Sequence, residues 1–390
     1  MRILISISFL LIISSCKKQD LQINNPTDCT FISADHPLND TLSKVINRFV
    51  KSGIPGITIA IKDANGTWMK SAGFSKIETL NLMAPCNVFF GYSTTKLYMA
   101  TLVMILKEKN LINLDNPITQ YLDEGISKKI DNSRAITVRM LLNHTSGIPD
   151  CLKHNTQYEL LIASAPLSVI KREDELNFID GKKLLFTPGS DYFYSNTNYI
   201  LISYIIEKVT GKDHALVLKD EILDKYGLNE TYYKLQAGYP DKLPIPNYYF
   251  DRFDNGSLEN VTKWGINEDA LSAYGSNGIM ATPIDYINFL KKLLNNEIIS
   301  SASLQEMKTW VMPKGETAPV YGLGLDHFNY GNKEQYGHGG SGMGSTRLIY
   351  FPNKNAYVFI AMNVSTNSSM IYSNKVFTAF NRLATIIANN

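Results

Sequence analysis

Between Val88 and Leu106 the chain passes from an apolar run (Val88, Phe89, Phe90) through Gly91 into Tyr92-Ser93-Thr94-Thr95-Lys96-Leu97-Tyr98-Met99-Ala100 and on to Thr101-Leu102-Val103-Met104-Ile105-Leu106. This pattern predicts an extended segment that turns at the glycine into a helix, and the rest of the chain is organised around it. Residues three apart share a helix face, so the Ser93 hydroxyl and the Lys96 amine come within hydrogen-bonding reach. Free N–H groups and the positive end of the helix dipole favour negative charge near Ser93. A lysine buried there loses proton affinity and can accept the serine proton. Spacing alone does not decide, because Ser-x-x-Lys also occurs at Ser14/Lys17, Ser15/Lys18 and Ser168/Lys171.

A chain of 390 residues can bury a large core in one domain or two intimate ones. With 44% hydrophobic and 19% charged residues it has the make-up of a globular protein. A formal net charge of +2, without a long Lys/Arg run, argues against a nucleic-acid partner.

Arg2, the apolar run Ile3 to Ile13 and Ser14-Ser15-Cys16 read as a signal peptide over residues 1–15. The run falls short of the ~20 residues that span a bilayer. From 16 to 35 the sequence is polar, with Asn, Pro and Asp, and reads as a flexible tether. Of the remaining cysteines, Cys29, Cys86 and Cys151 are odd in number, so their pairing stays open. Cys86 lacks an adjacent basic residue and reads as a small buried hydrophobe or a disulfide partner. No Cys-x-x-Cys or His-Glu-x-x-His occurs, so neither a metal site nor any other cofactor is expected.

Leu42, Val45, Ile46 and Phe49 recur at helical spacing and Gly53 ends that helix. Ile57–Lys62 and Thr67–Ala72 flank Asn65-Gly66, the signature of a hairpin. Residues from roughly 100 to 300 are mainly helical, with helices expected over Ala135–Leu142, Tyr199–Val209 and Pro283–Leu294. Tyr321–Leu325, Thr346–Tyr350 and Ala356–Ala361 read as strands, and Phe377, Phe380, Leu383 and Ile387 as a closing helix. The order is that of an α+β protein in which a mainly helical insertion, roughly 100–300, divides one domain over 36–390, its two ends meeting in one sheet.

Two later segments join Ser93. Phe186-Thr187-Pro188-Gly189 leads through Tyr194-Ser195-Asn196 into an apolar helix, and Tyr336-Gly337-His338-Gly339-Gly340-Ser341 is rich in glycines that let backbone approach a ligand closely. Ser93-x-x-Lys96, Tyr194-x-Asn196 and His338-Gly339-Gly340, in that order, resemble the three motifs of the serine β-lactamase and penicillin-binding superfamily, and within it the class C β-lactamase-like group with its D-amino-acid peptidases and esterases. Flanking phrases match as well: Leu141-Leu142-Asn143-His144-Thr145-Ser146-Gly147, the block from Pro188-Gly189 to Gly211, and Gly275-Ser276-Asn277-Gly278. The likeness covers nearly everything from residue 38 to 385. Ser14-Ser15-Cys16 likewise resembles a bacterial lipobox, which implies lipid on Cys16, export and a membrane anchor on the periplasmic face or outer membrane.

The resemblance implies an antiparallel β-sheet flanked by helices and joined to the helical part, with the active site between them. It implies that Ser93 attacks a carbonyl and forms an acyl-enzyme while Lys96 and Tyr194 share the proton work. A phenol with a pKa near ~10 must be held partly ionised by the lysine charge to act as a base at neutral pH, and which of the two is the formal base stays open. Asn196 would hydrogen-bond the substrate amide or hold Lys96 in place. Backbone N–H groups of Ser93 and Ser341 would form the oxyanion hole, where one donor is typically worth about 3 kcal/mol.

The departures shape the expected activity. His338 and Gly339 stand where the strict lactamase motif has a lysine and a hydroxyl residue, which weakens the grip on a substrate carboxylate. His338 either anchors substrate or packs on Tyr194. The expected function is a serine hydrolase acting on an ester, or on a peptide or amide with a D-amino acid, ranked above a β-lactamase proper or a non-catalytic penicillin-binding protein. A small molecule or peptide is the expected partner, and oligomeric state is open. His144 is expected to make a structural hydrogen bond, and Asp150 and Asp115 to be solvated turn residues.

Overall fold

The computed structural model describes residues 22–23, 35–153, 155–233, 240, 242–266, 274–330 and 333–390. The signal peptide, Cys16 and most of the tether lie outside the described residues. Gln22–Ile23, within the tether, pair in parallel with Lys242–Leu243, so that stretch is docked rather than free at this point.

Helix α1 (Asn39–Lys51) leads to strands β1 (Gly56–Asp63), β2 (Gly66–Lys76), β3 (Asn81–Leu82) and β4 (Phe89–Phe90), followed by helix α2 (Thr95–Glu108). The middle of the chain supplies α3 (Asn196–Thr210), β5 (Thr231–Tyr233), β6 (Ile279–Ala281) and α4 (Pro283–Leu294). Strands β7 (Asp326–Tyr330), β8 (Lys333–Ser341), β9 (Ser345–Phe351) and β10 (Ala356–Met362) precede the closing helix α5 (Met370–Asn389).

Seven strands form one antiparallel sheet in the order β7-β8-β9-β10-β1-β2-β3. Chain ends far apart in sequence meet where β10 pairs with β1, Phe359 opposite Ala60. Alternation sends Ile57, Ile59, Ile61, Val358 and Ile360 to one face, against Leu42 and Ile46 of α1 and Val376, Phe380 and Leu383 of α5. The other face, with Ala60, Phe359 and Ala361, packs on Tyr286 and Phe289 of α4 and on α2. Every residue of α2 from Thr95 to Leu106 is buried, so this helix is the interior of the protein rather than a surface helix. Each fully buried leucine there contributes about 1.5–3 kcal/mol.

Several local expectations are corrected. Ser93 sits in a 3₁₀ turn (Tyr92–Thr94), and the α-helix begins only at Thr95. The helix expected from Ala135 starts at Val138, where the Thr137 hydroxyl caps it by accepting Met140 N–H at 3.3 Å. Tyr321–Leu325 is not a strand but a turn, with Gly324 at φ +73° and so close to α2 that a Cβ on it would lie 2.4 Å from Ala100 Cβ. Phe377 lies in the closing helix as expected, on its open side, where it is 45% exposed and lines the cavity described below. Asp115 is the exposed turn residue expected, but it has a partner, the bidentate Arg139 at 2.7 and 2.9 Å, which the 24-residue separation concealed. Cys86 is disulfide-bonded, whereas Cys151 is a free buried thiol.

Candidate active site

Ser93 is presented by a strained turn. Tyr92, immediately before it, has φ +49°, a state costing a non-glycine residue on the order of 1–3 kcal/mol. Its phenol compensates: Tyr92 is buried, its hydroxyl accepts Gly344 N–H at 2.7 Å, and its ring packs beside Phe90 and Tyr248. Strand β8 runs against this turn so tightly that a Cβ on Gly340 would lie 2.9 Å from Ser93 N and 2.2 Å from Gly91 O. Only glycine permits that approach of β8 to the Ser93 amide.

Lys96, one turn along, has no solvent exposure. Its Nζ lies 3.2 Å from Ser93 Oγ, 2.8 Å from Asn196 Oδ1 and 2.9 Å from Ser276 O. Loss of water lowers its pKa to about 7, against which the Asp150 charge pulls upward. Two of the three neighbours, an amide oxygen and a peptide oxygen, can only accept. A neutral amine satisfies them with its two hydrogens, so its lone pair is left to face the Ser93 hydroxyl.

The orientation of Asn196 follows from Asp150, whose Oδ2 accepts both Asn196 N–H (3.2 Å) and Nδ2–H (2.9 Å). Asp150 is 6% exposed and its Oδ1 accepts Leu152 N–H and Lys153 N–H, so the expectation of a solvated turn residue is wrong. The loop after Ser146-Gly147-Ile148-Pro149 folds back on the start of α3, which no local spacing signals. Ser276 is held in turn by a buried relay. Gly275 N–H donates to Tyr233 Oη (2.8 Å), Tyr233 bonds His214 Nε2 (3.1 Å), and His214 Nδ1 bonds Glu207, which also pairs with Arg172 at 2.6 Å. Glu207, Asp213 and His214 bring oxygen and nitrogen donors within 4.8 Å of one another, but those of Glu207 and His214 are engaged in this relay.

Tyr194 completes the group. It borders the same cavity as Ser93, its ring centroid is 5.1 Å from Lys96 Nζ, and burial together with the Asp326 charge holds the phenol well above its usual pKa. The expected ionised phenol is therefore not the resting state: of the two, Lys96 is the group that loses its proton near neutrality. His144 packs 4.3 Å from the Tyr194 ring. Its Nδ1 accepts Ser195 N–H (3.2 Å) and lies 3.0 Å from Asn198 Nδ2, a structural role as expected, and burial keeps it neutral.

His338 is 1% exposed, with Nδ1–H donating to Gly339 O at 2.6 Å and Nε2 at 2.8 Å from the Tyr321 hydroxyl. Burial lowers its pKa, so it is a neutral ring packed near Tyr194 (6.4 Å) and not a cationic anchor. Ser93, Tyr194, His338, Gly339, Gly340 and Ser341 all border one cavity of about 210 Å³, with Lys96 and Asn196 behind its floor. Segments far apart in the chain, around Ser93, Tyr194 and His338, thus converge. Sequence reasoning missed the roles of Asp150, Tyr92, the Ser276 carbonyl and Asp326; of these Tyr92 and Ser276 lay in phrases already singled out.

A chain with this sheet, this buried lysine and this cavity has the architecture of the β-lactamase and transpeptidase-like proteins. A family model described as Beta-lactamase matches residues 42–375, and the chain belongs to that family. It is 24% identical over 387 residues to the D-alanyl-D-alanine-carboxypeptidase/endopeptidase AmpH of Escherichia coli K12, covering 93% of this chain and 94% of AmpH. It is 25% identical over 316 residues to the unguisins hydrolase ungD of Aspergillus violaceofuscus, covering 74% of this chain and spanning about half (54%) of that longer relative. Among solved structures, the D-amino acid amidase of Ochrobactrum anthropi SV3 superposes with a TM-score of 0.75 at 22% identity, over 90% of this chain and 99% of the amidase.

Proposed function

We propose that this protein is a serine hydrolase that forms an acyl-enzyme on Ser93 and cleaves an ester, or an amide or peptide bond of a D-amino acid. The observation that carries the reading is the Lys96 environment: a buried amine with a pKa of about 7, two oxygens occupying its hydrogens, and Ser93 Oγ at 3.2 Å on the remaining side. In this reading neutral Lys96 takes the Ser93 proton as Oγ attacks the carbonyl carbon. The Ser93 and Ser341 amides stabilise the oxyanion. Tyr194, protonated and on the same cavity, hands a proton to the leaving group and regains one from the Lys96 ammonium, so that on balance the Ser93 proton leaves with the departing group; water then releases the acyl group.

An amidase or peptidase suits the activities for which AmpH and the Ochrobactrum amidase are named. β-Lactam hydrolysis ranks lower because neutral His338 and side-chain-free Gly339 offer a substrate carboxylate neither charge nor hydroxyl. The protein is further proposed to be exported and lipid-anchored through Cys16. The Arg2-to-Cys16 segment supports this, and the Cys86 disulfide fits an oxidising compartment. No described helix is long and apolar enough to cross a membrane.

The test is a fluorophosphonate label. An adduct is expected on the Ser93 peptide of the wild type and absent from Ser93→Ala. Folded protein left unlabelled, or labelled equally in Ser93→Ala, removes Ser93 as the nucleophile.

A further inference from the structure

The wall of the cavity formed by the third motif carries negative charge. Asp326, the first residue of β7, lines the cavity with Ser93. Its Oδ2 accepts Gly339 N–H at 2.9 Å and stands 3.6 Å from His338 Nδ1. A carboxylate offers about four acceptor positions, so one backbone N–H leaves most of its capacity unused. Among the described residues its ion-pair neighbour is His338 alone, and that ring is neutral.

Gly339 keeps the approach open, since a Cβ there would lie 3.8 Å from Asp326 Oδ2 and 3.8 Å from Arg347 Cγ. Two cations border the same cavity. Arg347 lies across Gly339 on β9 with its guanidinium carried away to the rings, 5.4 Å from Phe328 and 4.9 Å from Phe380, and Lys153 is an exposed residue; Asp326 is the charged group bonded to the Gly339 backbone itself. A substrate carboxylate brought against the third motif meets Asp326 and is repelled; an ammonium meets a half-desolvated counter-charge.

We infer that Asp326 sets the substrate class of the Ser93 site by binding the free α-ammonium of an aminoacyl substrate, so that the bond cleaved joins an unblocked amino acid to its amide, ester or peptide partner. This rests on the hydrolase reading above and narrows it from the carboxyl-terminal to the amino-terminal side of the scissile bond. Phe377, which also borders the cavity and is 45% exposed, suits an apolar side chain on that residue, whereas Phe328 and Phe380 pack against the Arg347 guanidinium. Chemically, Ser93 Oγ bonds to the carbonyl carbon and the carbon–nitrogen bond breaks. The amine departs with the proton that began on Ser93, and one water releases the amino acid.

The experiment compares kcat/KM for phenylalanine p-nitroanilide and N-acetylphenylalanine p-nitroanilide, both enantiomers of each, with wild type and Asp326→Asn. Asparagine keeps an oxygen for Gly339 N–H and removes the charge. Wild type should favour the free amine by at least about 10-fold, and Asp326→Asn should bring the ratio toward unity. Should Asp326→Asn fail to fold, the wild-type ratio decides by itself. A wild-type ratio at or below one, or a ratio unchanged by Asp326→Asn, overturns the assignment. Ser93-dependent turnover of p-nitrophenyl acetate by the wild type tells whether the hydrolase reading survives that result; its absence overturns both.

Discussion

Asp150 Oδ2 stands 2.9 Å from Asn196 Nδ2, and this contact decides which end of the Asn196 amide faces Lys96. The carboxylate acts on the lysine twice: through the amide it orients, and through a charge that raises the Lys96 pKa against burial. Asp150→Asn should therefore shift the acidic limb of the kcat/KM profile to lower pH, by about a unit, because the lysine loses its proton more readily. The maximal rate should also fall, since a second amide no longer fixes the Asn196 oxygen. A pH–rate profile with p-nitrophenyl acetate checks both; a limb moving to higher pH contradicts the account.

Lys96 itself trades stability for reactivity. Its folded pKa, about 7, lies below the ~10.4 of an unfolded lysine. Between those values the unfolded chain binds the extra proton, so this group's contribution to stability rises with pH across that window and its burial cost is greatest below pH 7. Lys96→Met should abolish turnover, by at least ~10³-fold, and raise Tm more at pH 6 than at pH 10. Thermal melts of both proteins at the two pH values measure the difference. A Tm gain independent of pH would mean that Lys96 is not buried with a lowered pKa.

The fold was legible where periodicity is local, and the site was legible where a motif is short. α4 was read to the residue because Pro283 begins it and its apolar face repeats without interruption. Ser93, Lys96, Tyr194 and Asn196, which the structure brings together, each sit in a dense local phrase that the sequence displays. The roles of Asp150 and Asp326 were not legible, because what defines them is a partner 46 or 13 residues away, and neither spacing is a helix or strand period. Tyr92 escaped for a different reason. Nothing in its type announces a positive φ; the burial of its ring and a hydroxyl bond to Gly344, 252 residues on, hold it there.

The relay behind Ser276 makes Tyr233 a positioning residue. Its hydroxyl links Gly275 N–H to His214, and the neighbouring Ser276 carbonyl holds Lys96. Tyr233→Phe strands the buried Gly275 N–H, costing about 1–3 kcal/mol of stability. With the carbonyl free to shift, kcat should drop about 10-fold while KM stays near wild type and the acidic limb moves. Denaturant melts and steady-state kinetics together test this. A stability loss with kinetics intact would reduce Tyr233 to scaffolding.

Neighbouring glycines in the third motif should behave in opposite ways. A Cβ on Gly340 meets Gly91 O at 2.2 Å, Tyr92 Cβ at 2.8 Å and Ser93 N at 2.9 Å, all of them in the turn that presents the nucleophile. Backbone cannot yield there without moving Ser93 relative to Lys96, and a displacement of about 1 Å can cost ~100-fold in rate. On Gly339 the nearest atom would be Thr346 O at 3.6 Å, an ordinary contact. Gly340→Ala should thus lose at least ~100-fold in kcat and several degrees of Tm, whereas Gly339→Ala should melt within a degree or two of wild type and label with fluorophosphonate at a similar rate. Labelling kinetics and melts of the pair decide it; equal damage from both substitutions would mean that β8 does not lie against the Ser93 turn as described.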